Sequence, residues 1–236
     1  MRLNQQFSGA TLLHVAAAAG HLDVLKYLLY EGADIHAVTS ISHNLLDIKN
    51  SANALHVAAY HGHGECVLEL LNHGLNPYVM TQEEELPIDL AIMKGQYDAV
   101  EAMLDYGMDM DFLNSHEFPP AFLAVLKDQV EILRLLVRYG ADVNARSMFS
   151  TAPIFRVQSA EAVEALVEFG VDVNSRDKRG TYPLSRAARR GYTEAVEALI
   201  VHGATMPVDD GIALLPTLSP SLKRILPRAW GGAQSM

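Results

Sequence analysis

The stretch ALHVAAYHGHGECVLELLNHG, residues 54–74, gathers His56, His61, His63, Cys66 and His73. Imidazole nitrogens and a thiolate are the donors zinc prefers, so a stretch this dense raises the question of a metal centre. Spacing argues against it. A closed zinc site needs about four converging ligands. His61 and His63 flank a glycine turn and do not share a helical face, which leaves only His63 and Cys66, at i and i+3, on one side. Two of the histidines also recur without the cluster. TLLHVAAAAGH, residues 11–21, carries His14 and His21 where the later stretch carries His56 and His63, with no cysteine nearby. Cys66 stands where corresponding positions hold Val24, Ala99 and Ile132, so it reads as a small buried apolar residue. The histidines are expected to be structural, with no metal and no cofactor.

Other catalytic patterns are missing from the sequence: no G-x-S-x-G, no Walker-type glycine loop, no H-E-x-x-H and no paired C-x-x-C. The acidic run Glu83, Glu84, Glu85 leads into Pro87 and reads as a solvated turn. No residue is assigned a catalytic role, and the expectation is that the chain is not an enzyme. The rival reading is a His-rich, metal-dependent enzyme that uses the histidines of the first half. Stoichiometric metal in the purified protein is the observation that favours it.

Half of the 236 residues are apolar, enough for a continuous core. One cysteine permits no intramolecular disulfide. No run of about 18 apolar residues is present to span a bilayer, and the N-terminus lacks the apolar stretch of a signal peptide. An intracellular protein, cytoplasmic or nuclear, without membrane insertion is expected. The net charge of −10 disfavours nucleic acid as a partner. The charge is uneven: residues 1–120 hold 4 Lys+Arg against 16 Asp+Glu (−12), and residues 121–236 hold 14 against 12 (+2). The two parts therefore differ in the partners they suit.

The elements that position these residues follow from a repeat. A glycine after a Leu-rich run returns at 32, 74, 107, 140, 170 and 203, and three of the five intervals are 33 residues. Proline at 87, 120, 153 and 183 suits a first helical position. A short helix then runs to a glycine such as Gly20, Gly62, Gly95 or Gly191. A second helix follows with apolar residues at spacings of three and four, such as Val130, Leu133, Leu136 and Val137. One such helical hairpin cannot bury both of its sides, so neighbours must stack.

The segments YEGADIHA, RYGADVNA and EFGVDVNS after the helices, with TLLHVAAAAGH and NALHVAAYHGH before them, resemble the ankyrin repeat signature over about residues 9–203. The resemblance implies an all-α solenoid of six helix-turn-helix units with short β-hairpin fingers. The units fall at about 9–37, 51–79, 84–111, 117–145, 150–175 and 180–205, after a lead at 1–8 and before a C-terminal cap or tail at 206–236. It also implies a non-catalytic scaffold or adaptor that binds a protein or peptide on the concave face made by fingers and inner helices. An interaction fragment of a larger protein, such as a ubiquitin-ligase substrate receptor, is the further alternative. The His of the LH and GH positions is expected to hold turns through backbone hydrogen bonds. Asn144 and Asn174, in the DVN fingers, match positions that an asparaginyl hydroxylase modifies in this family.

Two departures from the repeat are informative. Residues 38–52 carry nine extra positions, read as a surface loop or a lengthened finger with Leu45, Leu46 and Ile48 as contacts. Repeat five is three residues short after Phe155, so its first helix must be reduced, with Ser159 placed to cap the second helix and Glu161 in its first turn. After Gly203 four prolines interrupt the chain, and residues 219–226 at most are expected to be helical, covering the apolar side of the last repeat. Counting along each repeat places Tyr60, His61, Glu85, Met93, Lys94, Phe118, Lys127, Met148 and Phe149 on the binding face, with Lys178, Arg179, Arg189 and Arg190 at its basic end. The expected ligand is a peptide whose apolar side chains meet the aromatics and Met93 while an acidic segment meets the arginines.

Overall fold

Local chemistry sets where each first helix begins. Pro87, Pro120, Pro153 and Pro183 occupy the first helical position, where a missing N–H leaves no hydrogen bond unmade. Repeats one and two use a polar cap instead: the Asn53 side-chain oxygen accepts from the amides of Leu55 and His56, and Thr11 holds the same place in repeat one. Gly20, Gly62, Gly95 and Gly191 end their helices in the left-handed region that a side chain disfavours. Repeat four has no glycine there, and Asp128 takes up the strained conformation at φ 57°.

The computed structural model describes residues 4–40, 51–110, 112–115, 117–147 and 151–229. It comprises two units, residues 1–116 and 117–236. The first unit holds three hairpins: α1 (Leu12–Ala19) with α2 (Leu22–Tyr30), α3 (Ala54–His61) with α4 (Gly64–Asn72), and α5 (Pro87–Lys94) with α6 (Tyr97–Asp105). The first helices α1, α3 and α5 pack side by side, and α2, α4 and α6 form a second layer. Alanines 17, 58, 59 and 91 are fully buried and let the first helices approach closely. Leucines and valines such as Leu55, Val67, Leu70 and Leu71 fill the space between layers, each contributing roughly 1.5–3 kcal/mol. On α2, Leu25 and Leu28 are buried while Tyr27 and Tyr30 face solvent.

The second unit begins with α7 (Pro120–Leu126) and α8 (Val130–Arg138). In repeat five the first helix is reduced to a single 3-10 turn, Pro153–Arg156, the consequence of its three missing residues. The turn still packs against α7 on one side and α10 (Pro183–Arg190) on the other. Its second helix, α9 (Ala160–Glu168), is capped by Ser159, whose Oγ accepts from the Ala162 amide and donates to Asp128. The last hairpin pairs α10 with α11 (Thr193–Val201).

The C-terminal segment is more helical than the sequence reading allowed. Besides α13 (Pro220–Ile225) there is a helix over residues 208–214, α12 (Val208–Leu214), so the limit of 219–226 is corrected. The prolines bracket these helices and do not break them: Pro207 is the residue before α12, and Pro220 opens α13. Both helices pack on the last hairpin, with Leu218, Leu222, Ile225 and Leu226 buried, and the Met206 amide donates to the Ala229 carbonyl.

Backbone hydrogen bonds join the two sides of three fingers, from the amides of Thr81, Ser147 and Asp177 to the carbonyls of Glu85, Thr151 and Thr181, and the Glu84 and Gly180 amides donate back to Thr81 and Asp177. Among the described residues no strand forms beyond an isolated bridge at Phe7 and Ala10. At the inserted segment, Thr39 and Ala52 are joined by an amide-to-carbonyl bond of 2.9 Å. Leu45, Leu46 and Ile48 lie outside the described residues. No described helix is long and apolar enough to cross a membrane.

Candidate partner-binding site

The histidines that opened the metal question are held by the backbone. His14 is fully buried; its Nε2 donates to the Ala52 carbonyl at 3.1 Å, and its Nδ1 accepts from the Thr11 amide and hydroxyl at 3.2 and 2.8 Å. His56 repeats the arrangement one unit later, with Nε2 3.0 Å from the Val79 carbonyl and Nδ1 beside Asn53. Each ring thus ties the start of its own helix to the finger that follows. Burial pushes the His56 pKa down to about 4 and lowers that of His14. In repeat three a buried carboxylate stands at the same position, and Asp89 Oδ2 accepts from the Leu86 amide at 3.3 Å.

The GH position binds backward. His63 Nε2 donates to the Ala18 carbonyl at 2.9 Å, and its ring lies so close over Gly20 that a Cβ there would meet it at 2.5 Å. Gln96 donates to the Tyr60 carbonyl from above Gly62, and Gln158 to the Leu126 carbonyl, in the same manner. His21 departs from the expectation: it is exposed, and its ring makes no side-chain hydrogen bond among the described residues. Cys66 is buried, which raises the pKa of its thiol. Among the described residues no three His, Cys, Asp or Glu side chains are placed to hold a metal ion.

In the first unit the structure brings together part of the expected face. Tyr60 and His61 end α3, and Met93 and Lys94 end α5. Lys94 Nζ lies 4.4 Å from the Tyr60 ring centre, a cation–π contact across two repeats, and the His61 ring meets Tyr60 edge-on and stacks on His63. Glu85 is half-buried in the finger below, its amide donating to the Thr81 hydroxyl, while Glu83 and Glu84 are exposed.

In the second unit Phe118 is half-buried and stacks on the fully buried Phe122 of its own repeat at 4.7 Å. Lys127 is exposed at the end of α7, and Met148 and Phe149 lie outside the described residues. Asn144 is exposed, with its amide bonded to Asp142. Asn174 is engaged at both ends: Nδ2 donates to the Gly203 carbonyl and Oδ1 accepts from the Thr205 amide.

Lys178 and Arg179 stand exposed on the finger of repeat six, and Arg189 and Arg190 in the last turn of α10. They line a cleft of about 710 Å³ together with Arg156, Arg186 and a single carboxylate, Asp177. Asp177 is already committed, with Oδ2 3.5 Å from Arg186 and Oδ1 accepting from the amides of Arg179 and Thr181. The sequence reading missed Arg156 and Arg186. A signal for them existed, because both fall at the fourth position of their first helices, 30 residues apart, where repeats two to four carry Val57, Leu90 and Leu123.

Stacked helical hairpins joined by short fingers define an all-α repeat protein. The chain belongs to the ankyrin repeat family: an ankyrin repeat model matches residues 8–40, a three-copy model 38–114 and 55–147, and a many-copy model 159–200. Among solved structures it is similar to the human ASB11 ankyrin repeat domain, at 25% identity and a TM-score of 0.75 over 94% of this chain and 99% of that one. It is also similar to the ankyrin repeat domain of Bcl-3, a member of the IkappaB family, at 24% identity and a TM-score of 0.65 over 84% and 88% of the two chains. The second likeness bears on fold alone. No curated protein matches the chain. The ankyrin repeat is a protein–protein interaction fold, and proteins built from it are generally non-catalytic.

Proposed function

We propose that this protein is a non-catalytic interaction module that binds a partner peptide or protein through its fingers and the ends of its first helices, and that the segment meeting repeat six is acidic. The observation that carries this reading is the uncompensated charge at that end. Six cationic side chains line one cleft with one carboxylate, which is already bonded, on a chain of net charge −10. Concentrated positive potential on an otherwise acidic molecule steers an acidic partner to one place and repels it elsewhere. Tyr60, Met93 and Lys94 in the first unit supply the other kind of contact, an adaptable apolar surface with an exposed cation.

Arg189→Glu/Arg190→Glu reverses the charge on two exposed side chains and leaves the buried face of α10 intact. A binding partner captured by the wild-type chain is expected to be lost by this variant at unchanged far-UV circular dichroism. Equal capture by both proteins overturns the assignment of repeat six to the acidic segment.

A further inference from the structure

We infer that the cleft of repeats five and six receives one phosphorylated side chain of a partner peptide, with Arg156 at its inner side and Arg186, Arg189 and Arg190 around it. The inference rests on the binding reading above and narrows it from an acidic segment to a phosphate.

Packing does not explain the two inner arginines. At the same helical position Val57, Leu90 and Leu123 are buried at 0%, 4% and 5% exposure, so an aliphatic side chain is what the stacked first helices take there. Repeats five and six place Arg156 and Arg186 instead. Arg156 lies 5.8 Å over the Phe122 ring, and its Nε is buried with no hydrogen-bond acceptor. A buried N–H without a partner costs about 1–3 kcal/mol, and more on a charged group. Burial, then the nearby charges of Arg186 and Arg190, push its pKa down. The one carboxylate of the cleft, Asp177, bonds Arg186 and two backbone amides. Arg156, Arg189 and Arg190 therefore have no anionic partner among the described residues, and the arrangement lacks an anion.

The donor set favours phosphate over carboxylate. Guanidinium groups offer planar pairs of N–H donors that match the oxygens of one anion bidentately. A carboxylate has one charge and two oxygens, whereas a phosphorylated side chain brings nearly two charges and three acceptor oxygens to several arginines at once. The recess favours a protruding side chain over an extended polyanion. Arg156 is half-buried where Arg189 and Arg190 are exposed, all three lining the same cleft, and the chain's net charge of −10 repels a long nucleic acid or an anionic membrane.

Fluorescence anisotropy of the full chain at about 0.15 M salt, with degenerate labelled peptide pools centred on phosphoserine, serine or aspartate, tests this. The phosphoserine pool is expected to bind about tenfold or more tightly than either other pool, as one or more charge-assisted hydrogen bonds require. Inorganic phosphate should compete. Arg156→Gln and Arg190→Gln should each reduce binding by about the same factor, and Arg190, being exposed, keeps the test valid if the Arg156 variant fails to fold. Equal binding of the aspartate pool overturns the phosphate inference and leaves the acidic-segment reading standing. Binding of no pool overturns both. Binding of phosphatidylserine vesicles or a single-stranded DNA oligonucleotide in place of the phosphopeptide pool overturns the inference by assigning the cleft to a different class of polyanion.

Discussion

Leu136→Ala is expected to destabilise the protein by about 2–5 kcal/mol, while Arg138→Ala, two residues along the same helix, costs below about 1 kcal/mol. Leu136 is 0% exposed in α8, which packs against α7 and α9. Removing three carbons there forfeits transfer free energy and leaves a cavity that closely spaced hairpins cannot close by collapsing. Arg138 is exposed at the helix end, where water replaces most of what its side chain contributes. Urea unfolding followed by circular dichroism reads both effects as shifts in midpoint. Equal shifts for the two variants would contradict the placement of α8 between its neighbours.

The second large effect is acid sensitivity centred on His56. In the unfolded chain an imidazole takes up a proton near pH 6.5, but burial holds the folded His56 pKa at about 4. Between those values the unfolded state binds more protons than the folded one, so stability rises with pH across that window. The contribution is fully present above about pH 6.5 and is lost as pH falls towards about 4; the shift corresponds to about 3 kcal/mol. His14 is shifted in the same direction by burial and adds to the trend. His56→Gln should be less stable than wild type at pH 7, because the Nε2 bond to Val79 is lost. The gap should shrink as pH falls through the window, since carboxylate titration is common to both proteins. A gap that stays constant from pH 7 to pH 4 rules out the buried neutral imidazole.

Residues with a local role were legible in the sequence. Pro87, Pro120, Pro153 and Pro183 marked helix starts because proline suits only the first turn, and Gly20, Gly62, Gly95 and Gly191 marked helix ends because each needs a positive φ. The recurrence of His14 at His56 marks both as structural, and both rings bond backbone carbonyls. What escaped is non-local. Arg156 follows directly on Phe155 in the shortened repeat, and only the packing of the 3-10 turn against α10 sets it near Arg186 and Arg190. Helix α12 was missed because prolines were counted as interruptions, when Pro207 lies just outside the helix and Pro216 just beyond it. The role of Phe118 also depended on a partner, Phe122, that the repeat count alone does not supply.

Site-specific photocrosslinking tests the central claim most directly. A benzophenone amino acid is introduced at Lys94 or Arg189, on the ends of first helices, and in parallel at Glu65 or Glu197, exposed on second helices. The account predicts that a captured partner crosslinks from Lys94 or Arg189 and not from Glu65 or Glu197. Crosslinking confined to Glu65 and Glu197 would contradict it, because the partner would then sit on the second-helix layer and the finger and first-helix surface would not be the binding face.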